Sequence, residues 1–484
     1  MNAQSNSAQM PPSVRWALAS LSLSMLLSSL GTSIANVSLP TLAQAFHATF
    51  HQVQWVVLAY LLAITTLIVS VGRLGDVIGR RRLMLAGIVM FTVASVLCGV
   101  APSLWLLIAA RALQGLGAAI MMVLTMAMVG EAVPKSKTGS AMGLLGTMSA
   151  TGTALGPTLG GVLIAGFGWR AIFLINIPLG ILTFLLAYNY LPHDREEPKL
   201  ERTRFDVMGT LLLMLTLAAY ALAMTMGRGS FSWTSLILLL VAITCSGLFL
   251  LVESRAASPL IQLAIFRNPI LSAGFAMSIL VTTVVMATLV VGPFYLAGAL
   301  SLDAARVGLV MSSGPLVAAL AGAPAGRLVD RFGEFRVGIA GLLGMLLGST
   351  AMPLLPTGFG IPGYIAPLVF VTAGYALFQA ANNTAVMTDS PAADRGVISG
   401  VLNLSRNLGL ITGASFMGAV FAFGADTTDI LAAHPASVVA GTRITFAVAA
   451  SLIFVALCIS AASHALARRA THQTQNKENT RAHI

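Results

Sequence analysis

Arg111 and Arg406 each stand well inside a long run of apolar residues, and no aspartate or glutamate does. A charge at bilayer depth is costly, so such a side chain pairs, bonds backbone carbonyls or meets a solute. Arg111 therefore either faces a solute pathway or braces a helix bundle through carbonyls and Gln114, one turn on. Arg406 shares a helical face with Asn403 and Asn407, which fits a polar clamp as well as a cavity role. Gln379, Asn382 and Asn383 form a second polar face. Amides within lipid must turn to protein or water, so they line a cavity or join helices. Ser33, Asn36 and Tyr60 are further candidates for a cavity wall, while Trp55 sits where aromatic anchoring is the default.

No pattern for catalysis accompanies them. HExxH, GxSxG, a P-loop and paired intramembrane aspartates are all missing, so an enzyme is not expected. Cys98, Cys245 and Cys458 lie in apolar stretches without CxxC or His/Cys spacing, which points to packing and to no metal site.

The elements that carry these residues follow from composition. The chain has 484 residues, 57% hydrophobic and only 9% charged, with a mean hydropathy of +0.88. A soluble protein carries about 25% charged residues, so the excess apolar surface must face lipid. The fold class expected is all-α and membrane-embedded. Spanning about 30 Å of hydrocarbon takes roughly 20 apolar residues. Stretches of that kind fall near 14–39, 52–72, 83–101, 104–130, 139–163, 171–191, 207–226, 234–252, 271–298, 304–325, 337–356, 363–387, 398–422 and 444–466, about fourteen in all. The first dozen residues lack the features of a removable signal, so the first stretch is read as a retained helix.

The net charge of +11 is a topology signal, because there is no basic stripe with interleaved aromatics for nucleic acid. With the N-terminus inside, the inward segments hold Arg15, Arg73, Arg80–Arg82, Lys135, Lys137, Arg327, Arg331 and Arg336, among others. The outward loops hold only Arg170, Arg228, Arg306 and Arg443, as the positive-inside rule demands. Both ends are thus expected in the cytoplasm, across a cell inner membrane.

One segment repeats. Gly72–Arg82 reads GRLGDVIGRRR and Gly326–Arg336 reads GRLVDRFGEFR, each after the second helix of a six-helix block. The expected organisation is a tail at 1–13, a six-helix half at 14–191, a charged loop with two extra helices at 192–268, a second half at 269–466 and a cytoplasmic tail at 467–484. The two extra helices show no chemistry beyond interfacial anchoring, and the polar tail is expected to be disordered.

Helix-borne motifs complete the picture. Leu107–Ala119 reads LIAARALQGLGAA, Gly152–Gly161 reads GTALGPTLGG, Gln54–Leu62 reads QWVVLAYLL and Trp169–Gly180 reads WRAIFLINIPLG. Glycines at 152, 156 and 160 leave one face of their helix bare for close approach, and Pro157 adds a bend. Together with the repeated loop, these residues resemble the major facilitator superfamily, in particular its fourteen-helix drug:proton antiporter branch.

The resemblance covers about Trp16 to Leu466 and implies multidrug efflux by alternating access, with antibiotic resistance as its outward sign. It implies that Gly72, Asp76, Gly79, Arg80, Asp330 and Arg331 belong to a conformational latch. It also implies that Gly152, Gly156, Pro157, Gly160 and Gly161 form an exporter motif, and that Arg111 has a mechanistic place. One position departs from the pattern. The branch carries an aspartate in helix 1, and here Gly31 stands in LGTSIANVSLP. With no acid there, and with Arg111 and Arg406 if both face the cavity, neutral or anionic amphipaths fit better than lipophilic cations. No cofactor is expected. Proton coupling is left to Glu131, Asp76, His47 or His51. The expected partners are the lipid bilayer and a small-molecule substrate, not nucleic acid, with a periplasmic adaptor left open. A dedicated exporter of one metabolite and a carrier-derived sensor are the competing readings.

Overall fold

The computed structural model describes residues 11–68, 71–133, 138–194, 207–226, 233–256, 263–354, 357–388, 395–426 and 433–482. Among these residues there are helices and no strand. In lipid every backbone N–H and C=O must be satisfied within its own segment, which helices achieve.

The first half comprises α1 (Pro12–Val37), the short α2 (Leu39–Ala45), α3 (Phe50–Ile68), α4 (Val71–Ile78), α5 (Arg80–Val100), α6 (Leu104–Ala132), α7 (Thr138–Phe167), α8 (Ala171–Leu174) and α9 (Asn176–Tyr190). An inserted pair follows, α10 (Val207–Met226) and α11 (Trp233–Arg255). The second half comprises α12 (Pro269–Phe294), α13 (Ala304–Phe332), α14 (Glu334–Leu354), α15 (Gly360–Thr388), α16 (Arg395–Thr412), α17 (Gly418–Gly424) and α18 (Pro435–Ala482). Among the described residues thirteen helices are long and apolar enough to cross a membrane. The fourteenth expected span, α10, contributes the apolar stretch Met208–Ala223.

The helix ends fall into two sets. One, here the basic end, holds Arg80–Arg82, Arg327, Arg331 and Arg336; the other is the far end. At the basic end both copies of the repeated loop turn on a glycine with positive φ, Gly79 at 104° and Gly333 at 83°. An L side chain is strained in that region, which explains why both copies place glycine there.

Hydrophobic packing is asymmetric along the bundle axis. One continuous cluster runs through the second half and joins the first half toward the far end, through Phe50, Val53 and Val57 of α3 with Phe294 of α12 and Phe421 of α17. Toward the basic end the first half has a cluster of its own, which includes Leu21, Ile64, Met84, Met121 and Leu145. A small separate cluster of Val329, Val337 and Ala381 belongs to the second half. The halves therefore meet at the far end and part toward the basic end.

Three sequence expectations change here. Cys98 is buried, but Cys245 is only half-buried and Cys458 is exposed, so packing explains the first alone. The tail expected to be disordered continues α18 to Ala482. Its residues include no Gly or Pro before that point, so nothing breaks the helix. The inserted pair also does more than anchor. α10 lies against α3 of the first half and against α17 of the second, so it straps one seam between them.

Candidate functional site: the seam and cavity between the halves

The far-end seal is built from aromatic edges and bare backbone. Phe50 meets Phe294 edge-on at 4.7 Å between ring centroids and Phe421 at 5.5 Å. Such offset and edge-to-face pairs add about 0.5–1.5 kcal/mol each beyond their buried area. Gln54 of α3 donates from Nε2 to the carbonyl of Ala414, 2.9 Å across the seam. Ala414 lies in a π-helical turn, Gly413–Met417, between α16 and α17. A second π turn, Tyr295–Ala299, ends α12 at the same end.

On the other flank α7 meets α13 backbone to backbone. A Cβ added at Gly308 would lie 2.5 Å from the Pro157 carbonyl oxygen and 2.8 Å from the Gly161 Cα. Real side chains do not fit there, so this contact exists only with glycine on both helices.

The exporter-motif glycines divide between two partners. Gly152, Gly156 and Gly160 face α1 of their own half, where an added Cβ would strike Leu26, Ser33, Ile34 or Val37. Gly161, beside Pro157, faces α13 of the other half. The four-residue spacing thus packs α7 onto α1, and its neighbour Gly161 supplies the contact between halves.

Arg111 is fully buried in the first half. Its Nε donates to the Val56 carbonyl of α3 at 2.9 Å, and one Nη donates to the Gly31 carbonyl of α1 at 3.1 Å. The other Nη donates to Gln114 Oε1 at 2.6 Å. Gln114 donates in turn to the Ser95 hydroxyl at 2.7 Å, tying in α5. The guanidinium lies 4.0 Å from the centroid of the Tyr60 ring, and Tyr60 donates to the Ser28 carbonyl at 2.8 Å. A single side chain thus joins α1, α3 and α6, with α5 drawn in through Gln114.

In this conformation much of the cavity set read from sequence is buried within the bundle. Arg111, Gln114, Tyr60, Ser33 and Asn36 are all at 0–1% exposure and line nothing in this conformation. Ser33 donates to the Gly152 carbonyl at 3.2 Å and stitches α1 to α7. Asn36 donates back to Thr32. Asn382 is buried too, and its amide donates to the Gly274 carbonyl of α12 at 3.1 Å. Arg111, Tyr60, Ser33, Asn36 and Asn382 each donate to a backbone carbonyl, a partner that residue spacing does not report. The Gly31 departure also has a local cause. A Cβ there would lie 2.9 Å from the Tyr60 hydroxyl and 3.3 Å from the Phe91 ring.

Gln379, Asn383 and Arg406 remain half-buried. Arg406 sits in α16 two turns, about 12 Å, from Ala414 toward the basic end. That places it beyond the seal, where the halves part. One of its terminal nitrogens, Nη2, is buried with no hydrogen-bond partner among the described residues. Of the two membrane-embedded arginines, Arg111 is spent on its own half and Arg406 has capacity to spare.

In the latch set, Gly72 lies in α4, and the side chains of Asp76 and of Glu131 lie outside the described residues. Asp330 and Arg331 are exposed, and Arg331 lies over the Phe332 ring at 5.3 Å. A residue that no motif singles out holds this region. Asp194, beyond α9, accepts from the backbone N–H of Arg81 at 2.8 Å and of Arg82 at 3.3 Å, capping α5. Arg81 itself reaches the Tyr188 carbonyl at 2.5 Å. No pattern marks a cap supplied from so far along the chain. Asp194→Ala is expected to cost about 0.5–2 kcal/mol, as loss of an N-cap does, read as a lower melting temperature in detergent.

A bundle of membrane helices in two halves, joined at one end around a shared interior, is the architecture of a membrane carrier. The Major Facilitator Superfamily model matches residues 21–414, and the chain belongs to that family. It is similar to riboflavin transporter RibZ of Clostridioides difficile, 31% identical over 440 residues, covering 90% of this chain and 95% of that one. It is also similar to multidrug resistance protein Stp of Mycobacterium tuberculosis, 33% identical over 403 residues, covering 80% and 72%. In fold it resembles a bacterial homolog of the human lysosomal transporter Spinster, solved inward-facing and unoccupied. There the TM-score is 0.69 at 15% identity, covering 94% and 98%. The protein is a multi-pass, secondary active membrane transporter.

Proposed function

We propose that this protein exports amphipathic, neutral or anionic small molecules from the cytoplasm by alternating access, in the inner membrane with both termini inside. The basic end is cytoplasmic on the positive-inside rule, so the conformation with a sealed far end is open inward. Export is supported by the glycine-rich motif of α7 and by kinship with a multidrug resistance protein. The observation that carries the substrate class is the unpaired Nη2 of Arg406, a buried cationic donor two turns below the seal. An anionic or carbonyl oxygen on a substrate completes it, since an unmet donor in low dielectric is costly.

Flux in proteoliposomes tests this directly, with a panel that includes anionic, neutral and cationic amphipaths. Arg406→Gln is expected to lower transport of anionic members about tenfold or more, leave neutral ones within about threefold, and leave the melting temperature unchanged; a charge-assisted bond is worth about 1.5–3 kcal/mol. Equal loss for all classes, or preferred transport of quaternary cations, would remove the assignment. A pH dye in the same vesicles reports proton coupling, for which Glu131 is the proposed carrier in place of an acid at Gly31. A dedicated exporter of one metabolite is a second reading, favoured by kinship with a riboflavin transporter, so a flavin belongs in the panel.

A further inference from the structure

A groove of about 850 Å³ runs along the outside of the first half at its basic end. Its floor is the start of α1, and Leu144 of α7 and Leu182 and Leu186 of α9 form its walls. All of its lining residues belong to the first half. Its lining is aliphatic except for Trp16, Arg15 and Ser22. Arg15 stands at the mouth, and Ser22 lies two turns deeper, about 10 Å along α1.

Ser22 is the odd serine of its helix. Ser20, Ser24 and Ser28 each turn their hydroxyls onto carbonyls of α1 at 2.8–2.9 Å. Ser22 is 7% exposed, and its Oγ has no hydrogen-bond partner among the described residues. A buried hydroxyl left unmet beside an apolar groove is a cost that a ligand with an acceptor oxygen would relieve. The mouth is placed by Trp16, 49% exposed and stacked on Tyr190 at 6.0 Å. Exposed aromatic pairs of this kind sit at the headgroup level.

We propose that this groove holds one anionic phospholipid of the leaflet at the basic end. Its phosphate pairs with Arg15, a glycerol ester carbonyl accepts from Ser22, and an acyl chain lies between Leu144 and the leucines of α9. Three features select this occupant: a cation at headgroup depth, a hydroxyl donor beneath it, and an aliphatic trough below both. A zwitterionic lipid would set its own ammonium against the guanidinium.

Quenching of Trp16 fluorescence by bromine-labelled acyl chains tests the proposal, with Trp16→Phe isolating its contribution. Brominated phosphatidylglycerol is expected to quench at mole fractions roughly fivefold below those needed with brominated phosphatidylcholine, the worth of one basic residue at an anionic surface. Arg15→Gln is expected to abolish that preference, and Leu182→Phe, which fills the trough, to weaken quenching by both lipids. Equal quenching by the two lipids in the unaltered protein, or a preference that survives Arg15→Gln, would overturn it. Relief of quenching by a transported anion but not by added unlabelled phosphatidylglycerol would make the groove a substrate portal, and would overturn it too.

Discussion

Arg111→Ala is expected to abolish transport and to lower the stability of the protein by about 2–5 kcal/mol, the two falling together. The estimate rests on three donated hydrogen bonds, to Val56, Gly31 and Gln114. Interhelical hydrogen bonds in membranes are worth about 0.6 kcal/mol on average and up to about 1.7. Loss of the guanidinium from over the Tyr60 ring adds to this. Arg111→Lys keeps the charge but cannot reach three acceptors on different helices from one ammonium, so it is expected to recover less than half. Thermal unfolding in detergent alongside flux in vesicles checks the result. If Arg111 instead bound substrate, transport would vanish while the melting temperature stayed in place.

Gly308→Leu is expected to drive the far end open and to cut transport at least about tenfold, with the fold retained. The added side chain has no room against Pro157 and Gly161, so α7 and α13 must separate. Overpacking costs about 1–3 kcal/mol, which at 1.4 kcal/mol per decade shifts the population of sealed molecules about 5- to 150-fold. Labelling of a cysteine placed at the far end should rise accordingly. Gly156→Leu is the internal control. Its clash is with Ser33 and Ile34 of the same half, so it is expected to lower stability without favouring either state.

The membrane helices were legible because lipid imposes a length and a composition on every span, and the loops between them collect the arginines. The repeated loop was legible for a similar reason: Gly79 and Gly333 answer a backbone requirement that no other residue meets at low cost. The interior was legible only in part. Gln114 stands one turn from Arg111, so their bond could be anticipated. Gly31 and Val56 act through carbonyls, which every residue has, and so leave no mark in the sequence. The spacing of Gly152, Gly156 and Gly160 announced a close approach but not its partner, which is α1. Nor could spacing show that Gly161 meets Gly308, because residues so far apart are paired by the packing of the two halves. Arg111 and Arg406 look alike as lone cations in apolar helices. Only their surroundings separate a saturated brace from a donor still unmet.

The central claim is that the halves rock about one interior, so that sealing one end parts the other. Distances between spin labels at two pairs of positions measure it most directly: Ile78→Cys with Phe332→Cys at the basic end, and Thr49→Cys with Phe423→Cys at the far end. All four sites are exposed. Across detergent, lipid and substrate conditions, the basic-end distance should shorten whenever the far-end distance lengthens, each drawing on two shared populations. Two distances that change together, or one that moves while the other stays fixed, would contradict the account.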